Sequence, residues 1–149
     1  MKWIDVPPIW LLLGLVVAWY QVTLFPFGLS FGGAWSDFVG GLCFGGGVLL
    51  IGLAFIEFYR HKTTALPHAF PSYLIQTGIF ARTRNPVYLG DVLILIGLIF
   101  RWDAVLSLLI VPIFVWILER RFIVPEENRL RQKFGADFVR YQGKVRRWV

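Results

Sequence analysis

The feature that most constrains this chain is a pair of polar motifs separated by a long apolar stretch. The first motif is Arg84-Asn85-Pro86, and the second is Pro125-Glu126-Glu127. The residues between them, about thirty-five in number, are almost all apolar apart from a corner at Arg101-Trp102-Asp103. If this stretch crosses a bilayer and returns, the two motifs meet on one face of the membrane. The pattern therefore predicts a polar site where the membrane meets water.

Composition favours a membrane protein with one domain. The chain has 149 residues, of which 57% are hydrophobic, 16% are charged and 17% are aromatic. Its one cysteine, Cys43, lies in an apolar run, so we expect neither a disulfide framework nor a cysteine metal site. The first apolar stretch is followed by no small-residue cleavage site, and we interpret it as a retained span rather than a signal peptide.

Four apolar stretches predict an all-α integral membrane protein with about four transmembrane helices. They cover residues 9–25, 38–59, 87–100 and 104–118. At 1.5 Å per residue the second covers about 33 Å and the third about 21 Å. The third and fourth stretches are separated by the corner at 101–103 alone, which predicts a helical hairpin. A C-terminal amphipathic helix is predicted at the interface, over about 125–142, within a single domain of residues 1–149.

The basic residues predict the orientation of these spans. All fifteen Lys and Arg residues except Arg101 precede the first span, lie between the second and third spans, or follow the fourth. Because positive charge collects on the cytoplasmic side, both termini and the middle loop (residues 61–85) are expected there. We predict a multi-pass protein of a bacterial inner membrane. The net charge of +6 is explained by this sidedness and by anionic lipids, and no nucleic-acid partner is expected.

The segment after the fourth span carries one apolar stripe. Leu130, Phe134, Phe138 and Tyr141 recur at intervals of four, four and three residues. Pro125 suits the first position of a helix, and the glutamates after it suit the positive end of the helix dipole. The stripe predicts a helix that lies against the membrane or folds over the middle loop. On its own, the segment is equally consistent with an interfacial anchor.

Glycines and two acidic residues within the spans admit several interpretations. The glycine cluster at 40–47 lacks phosphate-loop spacing, and the interval between Gly41 and Gly45 favours close helix packing. Glu57 has His61 on the same helical face and is interpreted as a carboxylate paired near the headgroups. Asp91 lies at the mouth of the third span, where an acid is a functional candidate, although it would equally suit pairing with Arg84 or capping a neighbouring helix.

The residues from Leu74 to Gly90 resemble the core motif of the isoprenylcysteine carboxyl methyltransferases and their phospholipid methyltransferase relatives. The motif reads Arg84-Asn85-Pro86-Val87-Tyr88-Leu89-Gly90, and after the apolar hairpin come Glu126-Glu127, Phe134-Gly135 and Tyr141. These elements follow the order that the family shows. The resemblance extends over about residues 63–147, which is more than half of the chain.

This resemblance implies transfer of a methyl group from S-adenosylmethionine. By position, it assigns the cofactor to residues of the middle loop, of the start of the third span and of the acidic pair. These residues are Tyr73, Leu74, Ile75, Gly78, Phe80, Asn85, Pro86, Val87, Tyr88, Glu126 and Glu127. A carboxylate of the pair would receive the cationic amino end of the cofactor, and carboxylates and aromatic faces suit a cation.

Three residues would act on the acceptor, and one of them, Glu127, is also among the residues assigned to the cofactor. Arg84 would hold an anionic acceptor or the cofactor carboxylate, and Glu127 would orient or deprotonate a neutral acceptor. The family's substrate-directed arginine is replaced here by Phe122, and the adjacent Arg121 is the predicted substitute. Phe80 and Asn85 also depart from the family, which often has tyrosine and, in the eukaryotic carboxyl methyltransferases, histidine at these positions.

The predicted function is methylation of a lipophilic or membrane-embedded acceptor at oxygen, nitrogen or sulfur. Two alternatives stay open at this point: a small non-catalytic membrane protein with an assembly role, and a lipid reductase of similar frame that uses NADPH. The sequence favours the methyl donor because no compact arginine cluster surrounds the motifs to bind a phosphate. It does not identify the acceptor or the oligomeric state.

Overall fold

The structure, a computed structural model, describes residues 5–25, 27–63 and 72–149. Within these ranges the chain is helical and contains no strand, as predicted. The described residues form six α-helices: α1 (Pro7–Leu24), α2 (Ala34–Arg60), α3 (Pro86–Arg101), α4 (Ile110–Leu118), α5 (Val124–Phe134) and α6 (Ala136–Lys144). They also form two 3-10 turns, Gly78–Ala81 and Val105–Leu109, and a π turn, Glu119–Ile123. Lys2, one of the residues behind the orientation prediction, lies outside the described ranges.

Two of the described helices, α1 and α2, are long and apolar enough to cross a membrane. Only 17% of the residues in the apolar window of each helix are buried in the protein. Large side chains such as Leu12, Trp19, Phe38 and Leu49 point outward and are more than half exposed. An apolar helix that is so little covered by its own protein suits a lipid environment better than the core of a soluble domain.

Helices α2 and α3 pack against each other through glycines. A side chain on Gly40 would lie 2.8 Å from the carbonyl oxygen of Gly97, and one on Gly47 would lie 2.6 Å from that of Gly90. The pairs run in opposite directions along the two helices, so the helices are antiparallel. Gly41 and Gly45, for which the sequence favoured close helix packing, do not make this contact, because a Cβ at either position would meet no described atom within 4 Å. The close approach instead uses glycines seven residues apart on each helix.

The apolar core lies between α1, α3 and α4. Leu95 and Ile99 of α3 are fully buried, together with Leu118 of α4 and Ile123 of the π turn. On α1, Gly14 admits Leu95, whose Cδ1 would lie 3.4 Å from a Cβ at that position. The third and fourth predicted spans differ in how well they are covered, since residues 86–100 are all buried or partly buried, whereas Ile113 and Trp116 in the fourth are more than half exposed. They correspond to α3 and to the 3-10 turn at Val105–Leu109 followed by α4.

The fourth predicted span and the predicted tail helix form one continuous helical path. The backbone stays helical from α4 through the π turn into α5, and the N–H of Val124 donates to the carbonyl of Glu119, five residues earlier. Pro125 lies at the start of α5 and Glu126 and Glu127 lie in its first turn, as predicted, although α5 continues from the π turn and does not follow a loop. The π turn lies directly before Pro125, where it widens the helix beside a residue that lacks an N–H donor.

The tail helix predicted over 125–142 is two helices, α5 and α6, separated at Gly135. Gly135 has φ +48, a conformation that favours glycine and ends α5. The predicted stripe nevertheless stays together, because Leu130 and Phe134 of α5 pack with Phe138 and Tyr141 of α6. Leu74 of the middle loop completes this cluster. The stripe thus folds over the middle loop, which is one of the two arrangements that its pattern predicted.

Candidate functional site

The candidate site begins where the middle loop enters α3. Asn85 precedes the helix in a non-helical conformation, and Pro86 occupies the first turn, where its missing N–H costs nothing. The N–H of Asn85 donates to the Thr83 hydroxyl at 3.2 Å, which fixes the bend. Asn85 and Pro86 are buried and Val87 is partly buried. The motif therefore forms a rigid, enclosed entry to the helix.

The C-terminal segment Arg146–Trp148 lies along this entry. The N–H of Arg84 donates to the carbonyl of Arg146 at 3.1 Å. The carbonyl of Arg147 accepts from the Asn85 side-chain amide at 3.0 Å and from the Thr83 hydroxyl at 3.2 Å. The last residues of the chain are therefore hydrogen-bonded to the motif at residues 83–85.

The acidic pair joins the same group of residues. Glu127 is buried, and the Arg147 guanidinium donates to both of its oxygens, at 2.8 Å and 3.2 Å. Arg84 Nη2 lies 3.3 Å from Glu127 Oε1. Beside it, the Tyr88 hydroxyl donates to Glu126 Oε2 at 2.8 Å. The motif that begins at Arg84 and the acidic pair Glu126-Glu127 are thus in contact, as their arrangement in the chain predicted.

The charged side chains around Glu127 do not all have a full set of hydrogen bonds within the described residues. The carboxylate of Glu127 raises the pKa of Arg147 above its ordinary value, chiefly by accepting its hydrogen bonds. Arg84 has a side chain that is 12% exposed, and its Nε and Nη1 atoms are buried with no hydrogen-bond partner among the described residues. Buried guanidinium donors normally find an acceptor. An anionic group of a bound molecule would supply one.

The predicted apolar lining of the cofactor pocket is divided between two clusters. Leu74 packs with α5 and α6, whereas Ile75 and Phe80 pack with Ala54 of α2. The Phe80 ring meets the edge of Phe58 at 5.4 Å, and its carbonyl accepts the Tyr141 hydroxyl at 2.7 Å.

These contacts anchor the middle loop from both sides. Tyr73 lies further out, half exposed, with its ring stacked on His61 at 4.8 Å.

Gly78 is held against α2 by Glu57. Gly78 has φ +57, and a Cβ there would lie 2.6 Å from Glu57 Cδ. Glu57 is buried; its Oε2 accepts the Thr77 hydroxyl at 2.7 Å, and Oε1 pairs with Arg60 at 3.2 Å. His61 Nδ1 lies 3.7 Å from Oε2. The predicted pairing with His61 is therefore present, and Glu57 additionally fastens the middle loop to α2.

Arg121 lies in a different place from the other predicted acceptor residues. Its Nη2 is 3.4 Å from Asp5, and its guanidinium stands 5.1 Å from the centre of the Trp10 ring. Both contacts are with the beginning of the described chain and of α1. Arg84 and Glu127, in contrast, are in direct contact with each other.

Three residues that position the site were not predicted from the sequence. Arg147, Thr83 and Thr77 orient Glu127, Asn85 and Glu57 respectively. The contact between Arg147 and Glu127 spans 20 residues, and no spacing rule links them. The sequence offered one signal for Arg147. Arg146 and Arg147 form a basic pair, and the acidic pair Glu126-Glu127 had no obvious partner.

Comparison with known proteins gives the family. The model of the phospholipid methyltransferase family matches residues 35–137, which include nearly all of α2, all of α3 and the acidic pair. An uncharacterized protein of Haemophilus influenzae is 38% identical over 63 residues, which are 42% of this chain and the whole of that protein. No solved structure matches the chain. The match covers more than half of the sequence, and it confirms the resemblance drawn from the motifs: the chain belongs to the phospholipid methyltransferase family, a family of methyltransferases.

Proposed function

We propose that this protein is an integral membrane methyltransferase that uses S-adenosylmethionine to methylate a lipophilic acceptor at oxygen, nitrogen or sulfur. The observation that carries the proposal is the contact between the two motifs. Tyr88 reaches Glu126 at 2.8 Å across 38 residues, and Arg84 reaches Glu127 at 3.3 Å. In a member of a methyltransferase family, this constellation is the candidate site for the methyl donor.

The residues present suit S-adenosylmethionine. The cofactor carries a carboxylate and an ammonium on one carbon. Beside two carboxylates, the site offers a guanidinium with two nitrogens that have no partner in the described part of the chain. Arg84 would bind the carboxylate. A glutamate of the pair would bind the ammonium, because an ionised carboxylate accepts several hydrogen bonds at once. Asn85, Pro86, Val87 and the Tyr88 ring would contact the remainder, with the loop residues 73–80 outside them.

When bound, the cofactor supplies an activated methyl group on a sulfonium, which is already a good leaving group. The protein would contribute position and exclusion of water. Arg84 and Glu127 would hold the reacting groups in register, since each is fixed by contacts to the other. Arg121 is proposed for acceptor recognition at the side of α1, where Trp10 offers an apolar wall beside its charge.

The proposed topology has four spans, with both termini and the middle loop in the cytoplasm of a bacterial cell. Helices α1 and α2 have the length and composition of spans. Helix α3, with 16 residues, and the path through α4 are shorter and would need a tilted helix or a locally thinned bilayer. This topology puts the site at the cytoplasmic surface, where a polar cofactor arrives from water and a lipophilic acceptor from the membrane.

Calorimetry on the purified protein in detergent tests the proposal. We expect S-adenosylhomocysteine, the demethylated product, to bind and NADPH not to bind. Binding of NADPH would favour the lipid reductase, and binding of neither would favour a non-catalytic membrane protein.

The double variant Glu126→Ala with Glu127→Ala should lose S-adenosylhomocysteine binding. Glu127 pairs with two arginines, so its replacement by alanine also removes contacts that hold the fold. The variant Glu126→Gln with Glu127→Gln keeps the size of both side chains and is therefore the variant to compare. Unchanged affinity in that folded double amide variant would refute the cofactor assignment.

A further inference from the structure

Asp91 is a buried acid in α3 that the proposed cofactor site does not use. Asp91 is only 4% exposed, and its Oδ2 atom is buried with no hydrogen-bond partner among the described residues. Asp91 lies five residues after Pro86, which is about 7 Å along the helix axis. An unpaired polar oxygen at that depth in an apolar bundle costs free energy that the fold has to offset elsewhere.

The structural roles that the sequence allowed for Asp91 do not account for it. Arg84, its possible ion-pair partner, pairs with Glu127 instead. The buried Oδ2 of Asp91 also accepts no hydrogen bond from the N-terminus of a neighbouring helix, since it has no partner among the described residues. The residue on either side of Asp91 is small or apolar: Gly90 meets α2, and Val92 lies in the apolar core. A neutral residue of similar size would therefore fit this position at lower cost.

The position of Asp91 relates it to the proposed cofactor site. Residues three apart on a helix share one face, so Asp91 lies one turn deeper than Tyr88. Tyr88 in turn donates to Glu126. From the water-facing end inward, the order is Glu126, Tyr88 and then Asp91, which places the carboxylate on the membrane side of the residues assigned to the cofactor.

We propose that Asp91 is the catalytic base of this enzyme and selects an acceptor that carries a polar hydrogen, such as a lipophilic amine, hydroxyl or thiol. The inference rests on the proposed function. The acceptor heteroatom attacks the methyl carbon, and the carbon–sulfur bond breaks with its electron pair passing to sulfur. The proton of the acceptor passes to the Asp91 carboxylate, so charge and atoms balance. An acceptor carboxylate has no proton to release and is repelled by Asp91, which excludes methyl ester formation on prenylated cysteine.

The variant Asp91→Asn tests the inference by two separate readouts. Methyl transfer from labelled S-adenosylmethionine to phosphatidylethanolamine, to dodecanethiol and to a total bacterial lipid extract should fall by about 100-fold or more. N-acetyl-farnesylcysteine should accept no label even from the unaltered protein. The unfolding temperature should rise by roughly 3 °C or more in Asp91→Asn, because this variant removes a buried carboxyl group whose Oδ2 has no partner among the described residues.

The controls separate this inference from the function on which it rests. Asp137→Asn, an exposed acid paired with Arg140, should leave transfer and unfolding temperature unchanged. S-adenosylhomocysteine should bind Asp91→Asn as it binds the unaltered protein. Three results would overturn the inference: full transfer by Asp91→Asn, a lower unfolding temperature of Asp91→Asn, or transfer to N-acetyl-farnesylcysteine. Absence of S-adenosylhomocysteine binding to the unaltered protein would refute the proposed function instead.

Discussion

At the scale of single residues, Gly78 fixes how the middle loop meets α2. Its φ of +57 suits glycine, and Glu57 occupies the space that a side chain would need. Glu57 in turn holds Thr77 and Arg60. The loop residues assigned to the cofactor therefore depend on a carboxylate of α2, far from the motif at residues 84–90.

The variant Gly78→Ala should lower the free energy of unfolding by about 2.5–4 kcal/mol. Alanine would have to adopt a left-handed conformation at this position, which costs about 1 kcal/mol. Its methyl group would also displace the charged Glu57 side chain from the hydrogen bond that Thr77 donates to it, which costs about 1.5–3 kcal/mol. Denaturant unfolding in detergent micelles measures the change. Gly143→Ala is the matched control: nothing lies within 4 Å of it in α6, and alanine should stabilise that helix by up to about 1 kcal/mol. Similar stability in both variants would contradict this explanation.

At the scale of helices, the contact of α2 with α3 is set by backbone proximity rather than by interlocking side chains. Gly40 and Gly47 on one helix face Gly97 and Gly90 on the other. Because this contact orients α3, it also sets where the motif at its start and Asp91 one turn further on are presented.

The variant Gly47→Ala should destabilise the protein by about 1–3 kcal/mol, because its methyl group would meet the Gly90 carbonyl at 2.6 Å and the backbone has no rotamer to relieve the contact. Thermal unfolding in detergent, followed by circular dichroism, measures the effect. Gly41→Ala, on the open face of the same helix, should be neutral or stabilising by up to about 1 kcal/mol. Equal losses at both positions would show that helix propensity, not helix contact, is responsible.

The sequence predicted helices α1, α2 and α3 to within a few residues, because apolar length is a local property. It also predicted the stripe that runs from Leu130 to Tyr141. It did not predict the π turn at Glu119–Ile123, since apolar length and a proline give the same pattern for one helix or two. The break at Gly135 was missed for the opposite reason: a single glycine within a regular stripe does not reveal its φ.

The residues of the candidate site that lie within the family motifs could be predicted from the sequence. The residues that contact them from outside those motifs could not. Tyr88, Arg84 and the acidic pair were assigned by position in the chain, and they are in contact. Arg147 was missed because its role depends on the C-terminal segment returning to residues 83–85, a long-range contact with no periodic signal. The pairing of Gly47 with Gly90 was missed likewise, since four glycines near it have the same local pattern.

At the scale of the whole molecule, a polar cluster lies at each end of α3. One is the candidate site, and the other is the turn after α3, where Asp103 receives the Ser30 hydroxyl and the Phe31 N–H from the segment between α1 and α2. These hydrogen bonds lower the pKa of Asp103 below its ordinary value, with that from Ser30 as the largest cause. Helix α3 is thus connected to other parts of the chain at both ends, to the C-terminal segment at its start and, through Asp103, to the segment between α1 and α2 after its end.

The connection at Asp103 should make stability depend on pH in the acidic range. A carboxyl group whose pKa is lower in the folded protein than in the unfolded chain contributes stability above its unfolded pKa of about 4. That contribution is lost as the pH falls through the lower, folded value. We therefore expect the unfolding temperature of the protein to exceed that of Asp103→Asn at pH 6, and the difference to shrink progressively below about pH 4.

Asparagine is the suitable replacement because Asp103 has φ +58, a conformation that asparagine tolerates. The measurement is thermal unfolding in detergent from pH 7 to pH 2, with each variant compared with the unaltered protein at the same pH. Ser30→Ala should reduce the pH-dependent difference, because it removes the largest cause of the shift, while leaving the Phe31 hydrogen bond in place. A difference of constant size across the whole range would mean that Asp103 acts through its shape alone, and its charge would then have no part in holding this end of the molecule together.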